Sequence, residues 1–240
     1  MKHSQAFKPD ALVSWIIWVN AAVFAISLLY TGSSLSFTIN PFAALSPSTD
    51  VLLFLGATGQ IPIDHSHAWW SLFTANWLHG SLLHILFNMM ALKTVAPLVI
   101  KAFGSARTFS IYTLAGVGGF FASYLGHVPL TVGASAGLCG LIGALLFYGK
   151  SRGGHWGQLV VRQTSGWIVS LLLVGIVVPR VNNWGHGGGF IAGMALGWIL
   201  GYLEARNESM ADKVLALALA AITFVLLARV VVAGGMLIFF

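Results

Sequence analysis

Ser135 stands in Gly-Ala-Ser-Ala-Gly at the head of the apolar stretch LTVGASAGLCGLIGALL, where a polar side chain is costly unless it is paired or working. Its hydroxyl is a weak nucleophile at neutral pH and attacks a carbonyl only when a base within hydrogen-bond reach takes its proton. His186, in NNWGHGGGFIAGMALGWILG, is a base in a similar setting, and as a neutral imidazole it can take that proton and later pass it to a leaving amine. His84 and Asn88, in HGSLLHILFNMMAL, are four residues apart and share one helix face. There they can donate hydrogen bonds to the charge that develops on an attacked carbonyl oxygen. The carboxylates are Asp10, Asp50, Asp64, Glu204, Glu208 and Asp212, and all are expected outside the apolar spans. A serine and histidine pair without an acidic third member is therefore expected.

Each group also has a packing role open to it. Small hydroxyl residues line helix interfaces, and His84 with Asn88 suits an interhelical hydrogen-bond pair. Gly-x-Ser-x-Gly in a soluble chain marks an elbow between strand and helix, which lipid-soluble flanks contradict here. Met89, Met90 and the tryptophans read as core filling and interfacial belts. His65, His67 and His79 are joined only by Asp64, with no cysteine or carboxylate set, so no metal site is expected.

The elements that must position these residues follow from composition. Hydrophobic residues make up 58% of the chain and charged residues 8%, and the mean hydropathy is +0.87. So little polar surface implies an integral membrane protein, and open sheet is excluded because lipid satisfies no backbone group. Spans are expected near residues 11–30, 80–99, 107–126, 134–149, 163–179, 186–203 and 213–232, giving an all-α polytopic fold. The third and fourth meet at a turn containing Pro129 and Gly133, and Arg162 interrupts the apolar stretch ahead of the fifth. Residues 31–79 read as a structured outer loop leaning on the bilayer surface. One membrane domain over residues 1–240 is expected, with a core of about 11–203 and an added C-terminal helix at about 213–232.

Basic residues set the expected orientation. Lys2, Lys8, Lys101, Arg107, Lys150, Arg152, Arg162, Arg206 and Lys213 fall on one side, whereas Arg180 and Arg229 fall on the other. By the positive-inside rule the N-terminus is cytoplasmic and the C-terminus external. The net charge of +6 then reflects topology and calls for no nucleic-acid partner. The first apolar run reads as a retained signal anchor, being too long for a signal-peptide core. The lone Cys139 excludes an internal disulfide. With that orientation the second, fourth and sixth spans enter from the external side, and His84, Ser135 and His186 converge within their first turns. The faces built from Gly193 and Gly197, flanked by Gly189 and Gly201, on one span and from Ala136, Gly140 and Gly143 on another allow close approach.

Taken together these elements resemble the rhomboid family of intramembrane serine proteases. The resemblance rests on HGSLLHILFN with His79, His84 and Asn88, on GASAG with Ser135, and on GHGGGFIAG with His186, Gly189 and Gly193, across residues 69–201. It implies a six-helix bundle, here with a seventh helix, in which Ser135 is the nucleophile, His186 the general base, and His84 and Asn88 assist the oxyanion hole. It further implies lateral access between the second and fifth spans, transmembrane protein substrates cleaved near their external end, and no cofactor. Ala136, Cys139 and Ser71 depart from the pattern, standing where glycine, an aromatic and, in AWWSLF, an arginine are usual. Cys139 reads either as a packing residue or as a reactive thiol near Ser135. A rhomboid-like scaffold that binds transmembrane helices without cutting them is the rival reading, and a small transporter a third, for which inverted repeats are lacking. The compact size and lack of a transit peptide suggest a bacterial plasma membrane, with lipid and membrane proteins as partners.

Overall fold

The computed structural model describes residues 9–32, 44–178 and 181–239. Lys2, Lys8 and Arg180 of the charge count lie outside them, as do residues 33–43 of the outer loop and residue 179 of the fifth expected span. Among the described residues there are helices and no strand. A long α1 (Pro9–Thr31) is followed by three short helices, α2 (Thr49–Phe54), α3 (Gln60–Ser66) and α4 (Ser71–Thr74), and a 3-10 turn at Ala75–Trp77. Six further long helices complete the chain: α5 (Leu82–Phe103), α6 (Ser105–Leu125), α7 (Ser135–Arg152), α8 (Gly154–Val177), α9 (Asn183–Leu200) and α10 (Met210–Phe239). The chain is an all-α polytopic membrane protein.

Segments Ala11–Thr31, Leu82–Phe103, Gly154–Val177 and Met210–Gly234 are long and apolar enough to cross a membrane by their own composition. Helices α6, α7 and α9 are more polar or shorter, and they pack mutually at the centre of the bundle. At 1.5 Å per residue the 18 residues of α7 or α9 still extend about 27 Å. Neighbouring helices cover part of their surface, so they need less lipid-soluble side chain.

Glycine sets how closely α7 and α9 meet. The fully buried residues of α9 are Gly185, Gly189, Gly193 and Gly197, one face at four-residue spacing. A Cβ at Gly193 would strike the backbone of Gly140, one at Gly189 the backbone of Ala136, and one at Gly143 the carbonyl of Phe190. The two backbones therefore touch with no side chain between them. Ala136 fits because it faces Gly119 of α6.

Three expectations need correction. Helix α8 begins at Gly154 instead of near residue 163, because Arg162 is exposed and leaves the helix undisturbed. The outer loop does more than lean on the surface: Leu72, Ala75, Trp77 and Leu78 are buried in the bundle. Trp77 meets Trp15 of α1 and Tyr112 of α6 edge-on, with centroids 5.9 and 5.8 Å apart. Of the carboxylates expected outside the apolar spans, Asp212 falls within one, in the first turn of α10 (Met210–Gly234), whereas Asp10 sits just ahead of Ala11–Thr31.

Asp212 locks α10 to α6 at the end of the bundle opposite Ser135. Arg107, fully buried, donates to Asp212 at 3.0 Å and to the carbonyls of Gly201, Arg206 and Asn207. Glu208 accepts from the amides of Ala106 and Arg107, capping α6. Burying the guanidinium is tolerable only because these acceptors surround it. Replacing Asp212 by Ala should therefore destabilise the protein by about 3 kcal/mol, the cost of stranding a buried charge, read as a lowered Tm by circular dichroism in detergent.

Candidate active site

Ser135 is the first residue of α7, His84 the third of α5 and His186 the fourth of α9, so all three emerge at one end of the bundle. The Oγ of Ser135 and the Nε2 of His186 are hydrogen-bonded at 2.9 Å. Both side chains are half-buried. Ser135 also occupies the helix terminus whose first-turn amides have no partner within the helix, a place that favours negative charge.

His84 is fixed by backbone. Its Nδ1 accepts from the Gly80 amide at 3.3 Å, which in a neutral ring puts the proton on Nε2. That edge of the ring lies against Gly133, whose φ of +132° suits glycine. The point where a Cβ would project from Gly133 is 2.7 Å from Nε2 of His84 and 3.8 Å from Oγ of Ser135. A donor and the serine hydroxyl thus border one small space, and the missing side chain keeps it open. The Gly133 amide donates to the Ala75 carbonyl at 2.9 Å, tying this space to the outer loop. Asn88 is buried one turn further along α5 and donates to the His84 carbonyl at 2.8 Å.

His79 packs edge-on to His84, with centroids 5.0 Å apart. Burial, with the neighbouring His84 as a lesser cause, pushes its imidazole well below the usual range. His65 and His67 are exposed in and after α3, and Asp64 accepts from Tyr124. The structure does not gather these residues with His79 into a cluster. Cys139 is a buried free thiol one turn beyond Ser135. Ser71 donates to Thr58 at 2.8 Å, and Thr58 pairs with Thr131 through both backbone groups at 3.1 and 2.7 Å. Those bonds anchor the outer loop to the segment that leads into Ser135.

One residue that sequence reasoning passed over joins these parts. Asn182 caps α9, its Oδ1 accepting from the Gly185 amide at 2.9 Å while its carbonyl accepts from the His186 amide at 3.1 Å. Its Nδ2 donates to Ser123 of α6 at 2.8 Å and to Thr131 at 2.9 Å. The entry to the His186 helix is thereby tied to the entry to the Ser135 helix. The available signal was an asparagine directly ahead of a helical stretch, a usual N-cap position.

Composition and fold define a multi-pass integral membrane protein. Residues 66–203 match the Rhomboid domain. The chain is 30% identical over 222 residues to RHOMBOID-like protein 1 of Arabidopsis thaliana, an alignment covering 82% of this chain and 56% of that protein. It is 33% identical to the same plant's RHOMBOID-like protein 6, mitochondrial, over 71% of this chain and 57% of the relative. To Rhomboid protease GluP of Bacillus subtilis (strain 168) it is 32% identical, over 73% of this chain and 35% of the relative. The chain belongs to the rhomboid family. It spans 56%, 57% and 35% of the lengths of these relatives.

Removing the Asn182 side chain should loosen the His186 helix locally. With a cap worth about 1 kcal/mol, Asn182→Ala is expected to speed hydrogen exchange of the Gly185 amide about fivefold, with α1 and α5 unchanged, as read by mass spectrometry.

Proposed function

We propose that this protein is an intramembrane serine endopeptidase, with Ser135 as nucleophile and His186 as general base. The observation that carries the reading is the 2.9 Å hydrogen bond between Ser135 Oγ and His186 Nε2. It is supported by the family match and by the similarity to a rhomboid protease. Neutral His186 takes the Ser135 proton as Oγ attacks a peptide carbonyl carbon. The resulting oxyanion is stabilised by Nε2–H of His84 and by the amides at the head of α7, with Asn88 assisting from the next turn. His186 then protonates the leaving amine. Water, deprotonated by the same imidazole, attacks the acyl-serine and frees the second product.

The substrates of this reading are transmembrane segments of other membrane proteins. An intact helix hides its carbonyls in its own hydrogen bonds, so helix-destabilising or small residues near the scissile bond favour cleavage. Substrate enters laterally between α5 and α8. In this reading the N-terminus is cytoplasmic and the site lies toward the external face, as the excess of basic residues on the opposite side favours, and the membrane is a bacterial plasma membrane. The chemistry uses these side chains and water.

Purified protein in detergent should react with a fluorophosphonate probe and, in proteoliposomes, cleave a fluorescent transmembrane substrate. Ser135→Ala and His186→Ala should each abolish labelling and cleavage. His84→Ala should lower kcat about a hundredfold, the usual scale for one oxyanion donor, with KM little changed. A folded wild type that neither labels nor cleaves would overturn the reading in favour of a helix-binding scaffold.

A further inference from the structure

At the end of the bundle away from Ser135, a cavity of about 470 Å³ opens between α5, α7 and α8. Its apolar wall includes Leu98 from α5 and Leu159, Val160 and Trp167 from α8, and its polar lining is Lys101, Tyr148, Arg152, Gln163, Thr164 and Glu204. The Lys101 ammonium lies over the Trp156 ring, 5.2 Å from its centroid, and Arg152 is braced through Nε by Glu204. The acidic groups at this end are all engaged. Glu204 is held by Arg152, Glu208 by the amides of Ala106 and Arg107, and Asp212 by Arg107 and Arg206. Among the described residues, Lys101, Lys150 and Arg162 have no such partner. Of the charged residues that line the cavity, Arg152 and Glu204 offset each other and Lys101 is left without a carboxylate partner.

That combination calls for a ligand with an anionic head and a hydrocarbon chain. A transmembrane helix fits less well, because an α-helix some 10 to 12 Å across would fill such a volume in about one turn and brings no charge of its own. We propose that the cavity binds an anionic glycerophospholipid from the leaflet at this end of the bundle. Its phosphate lies against Lys101 and Arg152, and one acyl chain runs along Leu98, Leu159 and Trp167. Juxtamembrane basic residues attract anionic headgroups in this manner, while Trp156 sits at headgroup level as interfacial tryptophans do. The site is independent of the chemistry at Ser135.

The test is native mass spectrometry of the full chain in detergent with equal amounts of phosphatidylglycerol and phosphatidylcholine of identical chains. Phosphatidylglycerol should be retained in preference, and Lys101→Gln should reduce that preference about fivefold, the scale for one basic residue at a membrane surface. Lys101 is exposed, so an unchanged Tm is the control for folding. Leu159→Trp, at an exposed wall position, should lower retention of both lipids by filling the chain slot. Equal retention of the two lipids, or a preference that survives Lys101→Gln, would overturn the proposal. So would displacement of phosphatidylglycerol by inorganic phosphate alone, which marks an anion site without a lipid, or by a synthetic transmembrane peptide, which marks a peptide groove.

Discussion

The contact between the backbones of α7 and α9 is the constraint on which the site depends. Where Gly193 meets Gly140 and Gly189 meets Ala136, a single added carbon would collide with main chain. Main chain cannot rotate aside as a side chain can, so the separation of the two helices is set by atoms that do not move independently. Ser135 and His186 lie one turn or less from this seam, on opposite helices, and their 2.9 Å hydrogen bond follows from it. No interposed side chain governs the separation of the two backbones there, which leaves the side-chain torsions of Ser135 and His186 to complete the bond.

The second determinant is a polar framework at the helix entries. Asn182 reaches Gly185, Ser123 and Thr131, and Thr131 pairs in turn with Thr58, which accepts from Ser71. Three helix ends and the outer loop are thus joined by short neutral hydrogen bonds. In the rhomboid pattern an arginine is usual where this chain has Ser71. Here a buried hydroxyl and a backbone pair hold the loop instead, which avoids desolvating a charge.

Much of this was legible in the sequence because the lipid environment makes polar residues conspicuous. Ser135, His84 and His186 are costly residues within apolar runs, and four-residue glycine spacing marks the seam. The start of α8 is hidden in the sequence because Arg162 resembles a break, although an exposed arginine near a membrane boundary is compatible with a continuing helix. The burial of the outer loop is hidden for a different reason. Its burial depends on Trp77 finding Trp15 and Tyr112, partners distant in the chain that no local pattern announces. Asn182 escaped notice because an asparagine outside a span is unremarkable until its partners are known. Asp212 falls within the last span because α10 begins at Met210, three residues ahead of Lys213, where the expected span starts.

Helix α8 has only Gly157 and Thr164 fully buried and turns Leu172, Leu173, Ile176 and Val177 outward. Its outward residues answer to the thickness and texture of the surrounding bilayer more than to the rest of the protein. Sequence drift along that face therefore costs the fold little. This one helix can be retuned to a new membrane while the seam between α7 and α9 stays as it is.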